Sequence, residues 1–105
     1  MFEPIVKKQY VKVKSSVIKK AVNVTLRVDI SHEGTSENWL DAIKLYYLVC
    51  DRFGVDCSYK HLYHTPRRAF KARKEANIAM RTNSRFRQLY AEVLEKLEQE
   101  NKFHV

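Results

Sequence analysis

The chain has 105 residues, 45% of them apolar and 11% aromatic, with two glycines and two prolines, which argues for one compact folded domain over 1–105 and against disorder. The longest apolar run, Leu45 to Cys50, is far below the roughly 20 residues that span a bilayer. The N-terminus MFEPIVKKQY lacks a signal-peptide core and two cysteines make no disulfide framework, so a soluble, cytoplasmic protein without membrane attachment is expected.

Along the chain, Val22, Val24, Leu26, Val28 and Ile30 alternate with Asn23, Thr25, Arg27 and Asp29, the period-two pattern of a half-buried strand. Upstream, Val11, Val13 and Val17 share one parity while Lys8, Tyr10, Lys12 and Lys14 share the other. The two segments are expected to pair as an antiparallel ribbon with a lysine-studded face, although SSVIKK lacks a tight hairpin turn.

After SHEGTSEN the period changes. Thr35 or Ser36 can cap a helix, Glu37 suits its first turn, and Trp39, Ile43, Tyr46, Cys50 and Phe53 recur at helical spacing up to Gly54. A short helix is expected in VDCSYKHLYH, with Asp56 or Ser58 as cap. Thr65 and Pro66 open a further helix to about Arg81, since proline at the first helical position loses no intrahelical hydrogen bond. Ala69, Ala72, Ala76, Ala79 and Met80 lie on one side of it and Arg67, Lys71, Lys74 and Arg81 on the other. Asn83 and Ser84 precede a last helix whose Phe86, Leu89, Tyr90, Val93, Leu94 and Leu97 form a core-facing stripe. The expected class is therefore α+β: an N-terminal antiparallel β-ribbon followed by three or four helices packed on it, in the order ββα(α)αα.

The formal charge of +8 is concentrated. Residues 57–91 hold nine basic side chains against the single acid Glu75, and the run from Cys57 to Lys74 has six Lys/Arg with no Asp or Glu. Such a segment attracts polyanions or acidic protein surfaces. Arg67 and Arg68 at one helix start, and Arg85 and Arg87 at the next, oppose the helix dipole, while arginines beside free backbone N–H groups suit an anion.

The function these features favour is a small basic nucleic-acid-binding protein, for DNA or RNA, of a size compatible with a viral or mobile-element regulator. Its candidate contacts are Arg67, Arg68, Lys71, Lys74, Arg81, Lys60, Arg85, Arg87, Tyr63, Lys12 and Lys14, with the ribbon lysines supporting the helix at 66–81. The alternative is a protein-interaction module or small inhibitor that docks its basic face on an acidic partner.

Other chemistries have thinner support. Cys50, Cys57, His61 and His64 supply zinc-ligand types, but their spacing is not that of ordinary fingers and Cys50 lies on an apolar stripe. No metal or cofactor is expected. Catalysis lacks a recognisable motif, and a small nuclease using His61 or His64 with Asp51 or Asp56 is the only enzymatic pattern to consider.

Overall fold

The computed structural model describes residues 13–30, 36–57 and 65–102, and the side chains among them up to residue 100. They form four helices: α1 (Ser15–Leu26), α2 (Glu37–Phe53), α3 (Pro66–Thr82) and α4 (Ser84–Lys102). No strand occurs among the described residues. The expected α+β class, with its N-terminal ribbon, is therefore overturned in favour of an all-helical arrangement.

The reason lies in an ambiguity of the valine pattern. Positions 22 and 26 share a parity, as in a strand, but they are also one helical turn apart, and with Ile18 and Ala21 they make a single buried helical face. Val24, of the same parity, points away and is 54% exposed. The β preference of valine is thus overridden by tertiary packing. Helix α1 ends where Arg27 takes up a left-handed conformation at φ 58° and its N–H donates to the carbonyl of Asn23. The chain then turns back: the Asn23 side-chain oxygen accepts a hydrogen bond from the backbone N–H of Ile30 at 3.2 Å, and Ile30 is buried.

Helix α2 follows the sequence expectation closely. Ser36 caps it by accepting from the N–H of Trp39 at 3.1 Å, and Gly54 closes it in the left-handed region at φ 65°. Besides Trp39, Ile43, Tyr46 and Cys50, it buries Ala42, Leu45, Tyr47 and Val49. These residues cover roughly 200° of the helix circumference, a face wide enough to meet α1, α3 and α4, which accounts for the run from Leu45 to Cys50, while Glu37, Asp41, Lys44, Asp51 and Arg52 take the remaining side.

Helix α3 begins after Thr65, whose hydroxyl accepts from the N–H of Arg68 at 3.2 Å, and it buries only Ala69, Ala72 and Ala76. Small side chains on that face let it lie close to its neighbours. Helix α4 is capped by Asn83, which accepts from the N–H of Phe86 at 3.1 Å, and it buries Phe86, Leu89, Val93 and Leu97. Helices α1 and α3 each pack on both α2 and α4 while making little or no contact with one another, so they flank the α2–α4 pair from opposite sides.

The expected short helix of VDCSYKHLYH falls mainly on residues 58–64, outside the described residues; its first three positions, 55–57, are not helical. No helix among the described residues is long and apolar enough to cross a membrane.

Candidate functional site

Burial of the alanine stripe fixes which way α3 faces. With 3.6 residues per turn, Arg67, Phe70, Lys71, Lys74, Ile78 and Arg81 fall within about 100° of the circumference opposite the alanines. All six are exposed, Phe70 to 67% and Ile78 to 42%. From Arg67 to Arg81 the stripe runs about 21 Å at 1.5 Å per residue. Four of its six side chains are cationic.

The structure separates basic side chains that already have protein partners from those that do not use one. The Nε of Arg73 lies 3.1 and 3.0 Å from the two carboxylate oxygens of Asp51, and its guanidinium sits 4.9 Å from the centre of the Tyr47 ring. Arg73 therefore ties α3 to α2. Lys44 pairs with Glu75 at 3.7 Å. Arg87 donates to the carbonyl of Met80 at 3.0 Å, satisfying an orphan acceptor at the end of α3. Arg81 reaches the carbonyl of Asn77 at 3.4 Å, and Arg85 lies 3.7 Å from Asp41. None of the ion pairs formed among the described residues engages Arg67, Arg68, Lys71 or Lys74.

The two arginine-bearing helix starts do not converge. Arg67 and Arg68 stand at one end of α3 and Arg85 and Arg87 just beyond the other, separated by a 17-residue helix of about 26 Å. Each start also has a side-chain cap, from Thr65 and Asn83. They cannot form one anion pocket.

Among the described residues, the N-terminal segment supplies no ribbon of lysines. Lys14 is the exposed residue preceding α1, a helix that packs on α2 and α4 with little contact to α3. Its role as a ribbon lysine falls with the ribbon. Lys12, Lys60 and Tyr63 lie outside the described residues, as do His61 and His64. Among the described residues no group of three or more His, Cys, Asp or Glu is placed to hold a metal ion.

Cys50 and Cys57 are both buried as free cysteines. A hydrogen bond to the Cys57 side chain, followed by burial, holds the Cys50 thiol well above the usual thiol range. It is protonated at neutral pH, a poor nucleophile and a poor metal ligand. Burial likewise raises the neighbouring Tyr46 phenol, with Cys50 the next cause. Asp51, a candidate nuclease ligand by sequence, is occupied by Arg73.

Sequence reasoning missed Phe70 as part of the site. Its signal was present: Phe70 follows Arg67 by three residues and precedes Lys74 by four, which puts it on the cationic side of the helical wheel rather than with the alanines. Beyond Lys71, a groove between α2 and α3 is lined by Trp39, Leu40, Ile43, Arg68, Lys71 and Glu75. Its floor is apolar and its α3 rim is mainly basic.

No protein-family model, curated protein or solved structure matches the chain.

Proposed function

We propose that the protein acts as a single cytoplasmic domain that binds DNA or RNA through the outward face of α3, in a binding rather than a catalytic role. Arg67, Lys71 and Lys74 contact phosphates, with Arg68 at the groove rim and Arg81 at the far end of the stripe. The observation that carries this reading is the row itself: Arg67, Lys71, Lys74 and Arg81, interrupted by Ile78, face away from the core, and none is used in an ion pair among the described residues. A row of this kind has a high density of counter-charge to offer a polyanion and adds nothing to internal packing. Two cysteines held as buried thiols suit a reducing compartment.

Docking on an acidic partner protein is the second reading, favoured by Ile78, an apolar side chain left 42% exposed within the stripe. The test is replacement of Arg67, Arg68, Lys71 and Lys74 together with Gln, which keeps helix propensity while removing charge. Affinity for a short duplex and a short single strand is measured across salt concentrations, with thermal melting alongside. Phosphate binding predicts that most affinity is lost, that the slope of log affinity against log salt shrinks by about 3, and that the melting temperature holds. An unchanged affinity and slope would remove α3 from the interface.

A further inference from the structure

The stripe of α3 has a feature that phosphate binding alone leaves unused. Phe70 is the most exposed large apolar side chain among the described residues, at 67%. Its near neighbours on the helix surface are Arg67 at i−3 and Lys74 at i+4, while Lys71 stands about 100° round the helix at the other edge of the stripe. With Arg67, Lys71, Lys74 and Ile78, and with Glu75 at one edge, Phe70 lines a shallow depression on the outside of the helix. We propose that this surface takes a single-stranded nucleic acid, with Phe70 as the platform on which a base stacks and Arg67, Lys71 and Lys74 holding the phosphates on either side of it. The proposal rests on the nucleic-acid reading of α3 and narrows it to one class of strand.

Two observations favour one strand over a duplex. First, the cations form one track. A helix lying in a duplex groove meets a phosphate backbone on each flank, but the flanks of this stripe are poorly equipped for two. On one side Arg73 is committed to Asp51 and Tyr47; on the other Arg68 is a single cation outside any of these ion pairs, and two turns further along stands the carboxylate of Glu75, paired with Lys44. Second, the aromatic face is available where a base face would be needed. In a duplex the base faces are covered by neighbouring bases, so Phe70 would meet only groove edges or phosphates. In a single strand they are open, and base–aromatic stacking beside a cationic track is the general solution for binding such strands without sequence readout. The cations also bracket Phe70 along the axis: Arg67 and Lys74 lie about 4.5 and 6 Å along the helix from it, in opposite directions. An acidic protein segment could contact the same cations, but it would offer Phe70 an aliphatic contact rather than a stack.

The test uses fluorescent oligothymidylate as the single strand and a blunt mixed-sequence duplex, each titrated at several salt concentrations with the parent, Phe70→Ala, Phe70→Leu, Phe70→Tyr, and the combined Arg67→Gln, Lys71→Gln, Lys74→Gln variant. Emission from Trp39, the only tryptophan, reports that each variant is folded. Phe70→Ala improves helix propensity at an exposed site, so loss of fold is not expected. The parent should bind oligothymidylate more tightly than the duplex. Phe70→Ala and Phe70→Leu should weaken oligothymidylate binding by about 5- to 100-fold, with the duplex affinity nearly unmoved and Phe70→Tyr close to the parent. If Phe70→Ala leaves oligothymidylate binding intact, or if Phe70→Leu binds like the parent, stacking is overturned. The nucleic-acid reading then survives only where the combined Gln variant loses both ligands. If the parent binds neither oligonucleotide at low salt, both readings fall and the acidic-partner reading replaces them.

Discussion

Asp41 sits on α2 at the start of α4, with Arg85 3.7 Å away, and is mostly shielded from water. Burial raises its carboxyl above the ordinary value of 3.8; Lys44 and Arg85 pull the other way, and the net shift is upward. The folded chain therefore holds the Asp41 proton more tightly than the unfolded chain does. The stability linked to that proton is fully present below pH 3.8 and is lost as the pH rises through the folded value. Asp41→Asn fixes the neutral form. It should melt higher than the parent at pH 7, and the gap should close as the pH falls below the ordinary carboxylate range, as followed by thermal melts across pH. A lower melting temperature at pH 7 would mean that the Arg85 contact outweighs the burial. None of this was legible in the sequence, because positions 41 and 85 are brought together only by the packing of α2 against α4. The same holds for Arg73 and Asp51: a basic residue in a basic run carries no mark that it serves as a tie between helices.

At the scale of elements, legibility followed the strength of the local signals. Helices α2, α3 and α4 each announce their ends, through Ser36 and Gly54, Thr65 and Pro66, and Asn83, and their buried stripes match the expected residues in large part. Helix α1 does not. It begins without a side-chain cap, ends on an arginine in the left-handed region rather than a glycine, and has valines at alternate positions. Two sets of substitutions separate helix from strand there. Val22 and Val24 share a strand face but lie on opposite sides of the helix, 0% and 54% exposed. Val22→Lys should then abolish cooperative unfolding or cost several kcal/mol through an unpaired buried charge, whereas Val24→Lys should stay within about 0.5 kcal/mol of the parent. Arg27→Gly gives a difference of sign. A glycine inside a strand costs roughly 0.5–1 kcal/mol. At the φ of 58° that Arg27 adopts, it relieves a left-handed backbone and should leave stability unchanged or raise it by up to about 1 kcal/mol, the gain being offset in part by unfolded-state entropy. Chemical denaturation of the three variants reads all of these; equal damage at positions 22 and 24, with a loss at 27, would restore the strand.

For the whole molecule, the decisive property is where the charge lies. The sequence placed the excess in residues 57–91 and drew one basic face on the helix at 66–81; the direction of that face, and the removal of Arg73 and Arg87 to structural duties, came from the packing. The lysines of the N-terminal region were expected to reinforce it. Of those among the described residues, Lys14, Lys19 and Lys20 belong to α1 and its entry, and α1 packs on α2 and α4 with little contact to α3. Net charge and local charge thereby become separable in one protein. Replacing Lys14, Lys19 and Lys20 with Gln lowers the formal charge from +8 to +5, and replacing Arg67, Lys71 and Lys74 with Gln does the same. The most direct measurement is the salt dependence of oligonucleotide affinity for these two charge-matched variants beside the parent. If α3 is the interface, its variant should lose most of the affinity and about 2 to 3 from the slope of log affinity against log salt, while the α1 variant stays near the parent apart from a small long-range decrease at low salt. Equal losses in the two variants would show that overall charge, not the outward face of α3, governs binding, and would contradict the account.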